Sequence, residues 1–326
     1  MSNLLSKASI LLTPTATSDG KLHNIKPNTT TGDFDFTRGT AATRVNSNGV
    51  IESVASGLPR IDFTGGTGQV LLEPASTNLF LNSATLSTQD VTTSANVFTV
   101  SFYGTGSITL SGTHSATLNG TGTNNRVSLS FTPSSGSLTC TVSGTVTNAQ
   151  IEQKSFATSY IETSGTSATR NQEEANSSGN TSLINSTEGV LYGELASFTN
   201  SGEPERNISL SNSTANNTAE IGYSSGTNLA RFRLRANNVT ILAQNSAVSD
   251  TTEFIKIAIK YKSGEIKCFI NGNQVISDTT SFAFSESLSE LAFDRGNGSN
   301  KFNGKIKSIA VFKEALTDAQ LISLTS

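Results

Sequence analysis

From about residue 96 onward, apolar and polar residues alternate along the chain. The stretches VFTVSFY, GSITLSG and SLTCTVSG place apolar side chains at every second position, and clusters of Gly, Asn and Ser separate them. A period of two is typical of strands with one buried face and one polar face. Together with TVTNAQIEQ, these stretches predict a small antiparallel, jelly-roll-like β-sandwich.

The alternation is clearest after residue 181. In ARFRLR three apolar residues alternate with Arg231, Arg233 and Arg235, so the arginines share one face of a strand. Isoleucines alternate with lysines in EFIKIAIKYK. Asn271-Gly272 predicts a type I′ hairpin turn, because both central residues of that turn need positive φ. These strands predict a second, larger sandwich.

The two ends of the chain follow different patterns. Residues 1–83 show little periodicity and are interrupted by prolines, which favours an extended joining segment. In LTDAQLISL, Thr317 and Gln320 fit a capping box ahead of an apolar stripe, which predicts a short closing helix. The predicted fold class is all-β, with 1–83 as the joining segment and sandwiches over 84–172 and 173–326.

Charge and rare residues exclude several classes of function. Charged residues make up 14% of the chain and the net charge is −3, which argues against nucleic-acid binding. The apolar run Ile10–Leu12 is too short for membrane insertion. Cys140 and Cys268 are isolated and are predicted to be small buried side chains. The two histidines, also isolated, do not form a metal-binding pattern.

Several phrases resemble proteins of tailed bacteriophages. FTRGTAATRVNSNGVIE, LPRIDF and LLEPASTNL resemble the N-terminal part of virion proteins of the tail-fibre and head-fibre type. TVTNAQIEQKSFATSYIETSGTSATR resembles the edge of a carbohydrate-binding-module-like sandwich. INGNQV and LAFDRGNGSNKFNGKIKSIAVFKEALTDAQL are similar to concanavalin A-like or laminin-G-like sandwiches, which implies that fold for the C-terminal part.

The resemblance implies a structural protein on the outside of a phage virion, made in the cytoplasm of the bacterial host. Its N-terminal part would dock on other virion proteins, and its C-terminal sandwich would be displayed. A tail-fibre or receptor-binding protein that contacts host cell-surface polysaccharide is the leading expectation. The alternative is a head-fibre or capsid-decoration protein with a purely structural role. The family resemblance also implies a homo-oligomer, specifically a trimer.

The phage-like phrases contain Arg38, Arg44, Arg60 and Glu73, which we consider as virion-docking residues. The alternative is that they hold loops together through arginine–carboxylate pairs inside the protein.

The loop FDRGNGSNKFNG supplies a second group of candidates, Asp294, Arg295, Asn297 and Asn300. Asp, Asn and Gly on a loop suit sugar hydroxyls or Ca²⁺. The alternative is an ordinary long turn. Asp294 is the loop's only carboxylate, so a Ca²⁺ site would need oxygens from elsewhere, and no cofactor is predicted.

The stripe that contains Arg231 and Arg233 could meet an acidic polysaccharide, or it could be a solvated outer face. The chain has no Trp and five Tyr, which weakens an aromatic sugar-binding platform. Glu173-Glu174 lie in a polar connector, and no nucleophile elbow or phosphate-binding loop is present. We therefore predict a protein that is not an enzyme.

Overall fold

The structure is a computed structural model that describes residues 2–326, and it confirms the all-β prediction. Helix α1 spans Ser2–Leu5, helix α2 spans Asp318–Thr325, and a single 3₁₀ turn covers Thr30–Gly32. Neither described helix has the length and apolar content needed to cross a bilayer.

The strands are short in the first part of the chain and longer after residue 96. Those of the first 83 residues are β1 Ile10–Leu12, β2 Thr17–Ser18, β3 Lys21–Leu22, β4 Phe34–Thr37, β5 Ala42–Val45, β6 Ile51–Val54, β7 Arg60–Asp62, β8 Gln69–Leu72 and β9 Ser76–Asn78. The middle part contains β10 Gln89–Thr93, β11 Phe98–Gly104, β12 Ser107–Gly112, β13 Ala116–Asn119, β14 Gly122–Phe131, β15 Gly136–Ser143, β16 Thr147–Glu152 and β17 Ala168–Arg170. The rest are β18 Glu174–Asn176, β19 Glu188–Ala196, β20 Arg206–Ser211, β21 Thr218–Tyr223, β22 Leu229–Ala236, β23 Val239–Ala247, β24 Ile255–Lys262, β25 Ile266–Ile270, β26 Asn273–Asp278, β27 Glu290–Ala292 and β28 Gly304–Phe312.

Two antiparallel sheets form the C-terminal sandwich. One has the order β26-β25-β24-β19-β28-β8-β7, with β1 paired to β28, and the other has the order β23-β22-β21-β20-β27. Leu191 and Ile257 of the first sheet share a buried core with Ile221 and Phe232 of the second. Because side chains alternate across a strand, the residues between Ala230, Phe232 and Leu234 lie on the outer face of the second sheet.

The N-terminal segment joins this sandwich by strand pairing. Leu11 pairs with Ala310, and Val70 pairs with Ile306, across most of the chain's length. Strand β4 pairs with β18 in a separate small sheet. Phe34 is completely buried in the core of the C-terminal sandwich. The segment is therefore extended, as predicted, and its apolar side chains lie in a core that the last part of the chain completes.

The middle sandwich has its own core. Sheets β10-β15-β12-β13 and β14-β11-β16 enclose Phe98, Phe102 and Ile151. Cys140 lies in this core and Cys268 in the C-terminal core, both buried and unpaired, as predicted. Burial raises the pKa of the Cys140 thiol to about 12.

Two local predictions are confirmed. Asn271 and Gly272 have φ values of 45° and 79° in the turn between β25 and β26. At helix α2, the Gln320 backbone N–H donates to Thr317 Oγ1 at 3.3 Å, and the Thr317 N–H donates to Gln320 Oε1 at 2.9 Å. Leu321 and Leu324 pack the helix on the outer face of the larger sheet.

Candidate functional site

Five charged side chains form a buried cluster between the three parts of the chain, which we call the ion network: Arg38, Arg60, Glu73, Arg170 and Glu173. Arg60 Nε donates to Glu173 Oε1 at 2.8 Å, and Arg60 Nη2 donates to Glu73 Oε2 at 2.8 Å. Arg38 Nη1 donates to Glu173 Oε1 at 2.6 Å, and Arg170 Nη1 lies 2.9 Å from Glu73 Oε2. No side chain of the network is more than 2% exposed.

The network connects segments that are distant in sequence. Ser159, which follows the middle sandwich, donates from its backbone N–H and its hydroxyl to Glu73 at 2.7 and 2.6 Å. Burial alone would raise the pKa of Glu73, but Arg170, Arg60 and the Ser159 hydrogen bonds lower it to about 2. Glu73 is thus charged and paired, and the role of the network is to hold the modules together.

This geometry corrects the virion-docking hypothesis. Arg38, Arg60 and Glu73 lie inside the protein, so they cannot contact a separate virion protein, and we do not retain them as docking residues. Arg44 is partly exposed, and its Nε donates to Glu52 Oε1 at 2.6 Å. Its pairing is local to the β5–β6 hairpin.

A second group of charges lies on the outer face of the five-stranded sheet. We call it the arginine face and define it by Arg231, Arg233, Arg295, Glu205 and Glu220. Arg233 is directly opposite Glu220 in the β21–β22 register. Arg295 reaches the same carboxylate from the loop after β27. The stripe and the loop, considered separately in the sequence, therefore meet at one place.

The arginines approach the carboxylates without forming close pairs. Arg233 Nε and Arg295 Nε lie 3.9 and 4.0 Å from Glu220 Oε1, and Arg231 Nη2 lies 3.6 Å from Glu205 Oε1. These distances exceed those of ordinary hydrogen bonds. Glu220 instead accepts hydrogen bonds from Thr218 Oγ1 at 2.6 Å and from Asn207 Nδ2 at 3.0 Å.

Several polar atoms of the face lack a partner within residues 2–326. They include the buried Nε–H groups of Arg231, Arg233 and Arg295, together with Asn207 Oδ1 and Ser209 Oγ beneath them. A buried donor or acceptor without a partner costs free energy, which a bound polar molecule can recover. The three arginine side chains expose between 11% and 21% of their surface, so such a molecule can reach them.

The carboxyl group of Glu220 has an altered acidity. Burial raises its pKa to about 7, against the opposite effects of the Thr218 hydroxyl, Arg295 and Arg231. The excess of positive charge on the arginine face therefore grows as Glu220 takes up a proton below neutral pH.

The other loop candidates have partners close by. Asp294 is 3% exposed and accepts a hydrogen bond from the Gly296 N–H, and burial raises its pKa. Asn297 Oδ1 accepts from Ser299 Oγ at 2.6 Å, whereas Asn300 Nδ2 donates to Glu205 Oε2 at 3.2 Å. Asp294 and Asn297 therefore shape the loop. In residues 2–326 no group of three or more His, Cys, Asp and Glu side chains is placed to hold a metal ion.

Sequence reasoning did not identify Glu220 and Glu205 as part of this face, or Arg170 and Glu173 as part of the ion network. Glu173 pairs with Arg60 across 113 positions. No local pattern indicates such a pairing. The alternation of side chains around Glu220 does indicate its location, because it puts a carboxylate on the same sheet face as the arginines.

The fold and the arginine face define a multi-sheet β-protein with a polar, cationic surface on its C-terminal sandwich. Residues 197–322 match the concanavalin A-like lectin/glucanases superfamily, in its laminin G-like branch. The C-terminal sandwich therefore contains a concanavalin A-like domain. A search of curated proteins finds no match to the chain.

Solved structures resemble part of the chain at low identity. The carbohydrate-binding module CBM40 of the Ruminococcus gnavus IT-sialidase shares 13% identity, with a TM-score of 0.37, over 46% of this chain and 92% of its own. The leech intramolecular trans-sialidase complexed with 2,7-anhydro-Neu5Ac shares 19% identity, with a TM-score of 0.35, over 43% of this chain and 23% of its own. The heptameric SAP-like pentraxin of Limulus polyphemus shares 11% identity, with a TM-score of 0.35, over 43% of this chain and 70% of its own.

Proposed function

We propose that this protein is a non-catalytic glycan-binding protein that holds acidic saccharides on the arginine face. The main support is the set of three guanidinium groups whose buried Nε–H donors lack a partner in the described protein. Guanidinium groups bind carboxylate and sulfate oxygens through charge-assisted hydrogen bonds. The superfamily matched by residues 197–322 includes lectins in its description, which supports a sugar as the ligand.

The charge balance favours an acidic saccharide over a neutral one. Three arginines surround two carboxylates, Glu205 and Glu220, and Glu220 becomes neutral when it takes up a proton. A carboxylate or sulfate group would lie among the arginines, and the sugar ring would extend over the sheet.

We place this binding protein on the outside of a bacteriophage virion, as a tail-fibre or receptor-binding protein that assembles as a homo-oligomer and attaches to host polysaccharide. The support is the resemblance of FTRGTAATRVNSNGVIE, LPRIDF and LLEPASTNL to phage virion proteins. Antibody labelling of intact virions tests the position. Label confined to the tail supports attachment, whereas label over the whole capsid supports the alternative decoration role.

The binding proposal is tested on an array of acidic and neutral glycans, followed by calorimetry with the acidic glycan that binds best. We expect Arg233→Gln and Arg295→Gln each to weaken that binding about tenfold or more, since each removes a charged hydrogen-bond donor. Arg235→Gln is the matched control, because the Arg235 terminal nitrogens donate to the Ala215 and Asn238 carbonyls at 2.9 Å.

Two results would contradict the proposal. One is acidic glycans that bind no better than neutral ones. The other is the release of shorter saccharides during incubation, which would indicate a hydrolase.

A further inference from the structure

A cleft of about 440 Å³ lies where the three parts of the chain meet, and its lining residues are distinct from those of the arginine face. The β5–β6 hairpin, residues 42–54, forms one wall. The outer face of the β14-β11-β16 sheet forms the opposite wall, and Gln69 and Leu71 of β8 line it as well. It shares Val45, Tyr103 and Arg126 with a wider open groove beside it. Its volume falls within the range of small-molecule sites.

The sheet wall of the cleft is polar because side chains alternate between the two faces of a strand. On β11 and β14, apolar side chains point into the middle core, so Ser101, Tyr103, Arg126 and Ser128 point outward. Tyr103 pairs with Arg126 across the two strands, and Ser101 pairs with Ser128. Three of these four side chains, Tyr103, Arg126 and Ser128, line the cleft as one contiguous polar surface around a half-buried aromatic ring.

Three polar atoms on this surface have no partner within residues 2–326. Arg126 Nη1 donates to the Thr158 carbonyl at 2.6 Å and Nη2 donates to Ser101 Oγ at 2.8 Å, but its buried Nε–H is unpaired. The Tyr103 hydroxyl and Ser128 Oγ also make no hydrogen bond there. A donor held rigidly by its neighbours, beside two free hydroxyls and an aromatic ring, matches the alternating hydroxyls and apolar ring face of a sugar.

The walls of the cleft are fixed in position. Thr43 Oγ1 donates to the Tyr160 carbonyl at 2.6 Å, which ties the hairpin to the chain after the middle sandwich. Asp62 accepts from the Val45 N–H at 2.8 Å and fixes the hairpin to β7. Phe156 and Phe198 stack with ring centroids 5.0 Å apart at the edge shared with the C-terminal sandwich. A site that is already formed loses less entropy on binding.

The charge of the cleft differs from that of the arginine face. Arg44 is paired with Glu52 at 2.6 Å, and Asp62 lies in the same region as Arg126. The carboxylates of Asp62 and Glu73 line the cleft together with the cations Arg126 and Lys305, so its lining carries charges of both signs. From these observations we infer that the cleft is a second saccharide site that takes a short, uncharged oligosaccharide, stacked on Tyr103 and hydrogen-bonded to Arg126 and Ser128.

The experiment uses the full chain and an array of neutral di- to tetrasaccharides built from glucose, galactose, mannose and N-acetylhexosamines. Calorimetry follows with the best-bound glycan. We expect Tyr103→Ala to weaken binding at least about tenfold, and Tyr103→Phe and Ser128→Ala to weaken it about threefold to tenfold each. Thr109→Ala, on the outer face of the other sheet of the same sandwich, is the matched control and should bind as the wild type does.

Several results would overturn the inference. One is a wild-type chain that binds none of the neutral saccharides. Another is neutral-saccharide binding that is unchanged in Tyr103→Phe and Ser128→Ala. A third is neutral-saccharide binding that is lost in Arg233→Gln. Ser128→Ala and Tyr103→Phe remove only unpaired hydroxyls, so they separate binding from folding if Tyr103→Ala is unstable. Acidic binding that is lost on Arg233→Gln and retained in Tyr103→Ala would support the arginine face independently of the cleft.

Discussion

The ion network and the arginine face consist of the same two residue types, arginine and glutamate, held at different distances. In the ion network, Arg38 lies 2.6 Å from Glu173, Arg60 lies 2.8 Å from Glu73, and the side chains are at most 2% exposed. On the arginine face the nearest guanidinium–carboxylate distances are 3.6–4.0 Å. In the first arrangement guanidinium groups lie at hydrogen-bond distance from both carboxylates, whereas in the second they do not and can bind another molecule.

The pKa values of the buried carboxyl groups of Glu73 and Glu220 differ in the same way as the pairing distances. The arginines around Glu73 outweigh the effect of burial, and its pKa falls to about 2. Around Glu220 burial outweighs the more distant arginines, and the pKa rises to about 7. Arginine–glutamate content alone therefore does not tell a structural cluster from a binding surface, but the pairing distance does.

The largest expected effect is on the ion network. Arg60→Met leaves Glu73 and Glu173 buried with fewer cations, and we expect the free energy of unfolding to fall by about 3–5 kcal/mol. Urea denaturation followed by circular dichroism measures it. Arg44→Met, which breaks a partly exposed pair, should cost about 1 kcal/mol or less. Similar losses in the two variants would contradict the structural role of the network.

The pH dependence of stability should differ between the two regions. For Glu220, the folded state has the higher pKa and binds the proton more tightly, so the contribution of Glu220 to stability is fully present below about pH 4.5 and is lost as pH rises to about 7. The loss is on the order of 3 kcal/mol, because one pKa unit corresponds to about 1.4 kcal/mol. Glu220→Gln should flatten this part of the curve, and a slope that persists in Glu220→Gln would assign it to another group.

The opposite sign is expected for Glu73. Its folded-state pKa lies below the ordinary value of 4.5, so its contribution is fully present above that pH and is lost as pH falls toward about 2. Urea midpoints measured from pH 5 down to pH 2 should fall in the wild type. In Glu73→Gln the midpoint should begin lower and depend less on pH. Parallel curves for the two proteins would count against the assignment.

The smallest stability effect is expected on the arginine face. Arg233→Gln removes a guanidinium group that makes no hydrogen bond to residues 2–326 and lies 3.9 Å from Glu220. The free energy of unfolding should therefore change by about 1 kcal/mol or less. A loss as large as that of Arg60→Met would mean that the face is a structural cluster after all.

Features that depend on neighbouring residues were predictable from the sequence. The alternation in residues 229–236 predicted which side chains face the core, and Thr317 with Gln320 predicted the cap of helix α2. Asn271-Gly272 predicted its turn because positive φ is a local requirement. In each case the physical cause lies within a few residues of the feature.

Features that depend on distant pairing were not predictable. Strand β1 has three residues and pairs with β28 almost 300 positions later, so no periodicity indicates its partner. The same limit applies to the candidate site. The sequence pointed to Arg231, Arg233 and Arg295, but only the fold brings Arg295 beside Arg233 at Glu220. The fold also buries Arg38, Arg60 and Glu73, which the sequence suggested as docking residues on the surface.

Calorimetric titration of the best-bound acidic oligosaccharide into the wild type and Arg233→Gln at pH 6 and pH 8 tests most directly whether the arginine face is the binding site. We expect tighter binding at pH 6, where Glu220 is protonated, and a loss of affinity of about tenfold or more in Arg233→Gln at both pH values. Equal affinity of the two proteins for the acidic oligosaccharide would contradict the arginine face as the binding site.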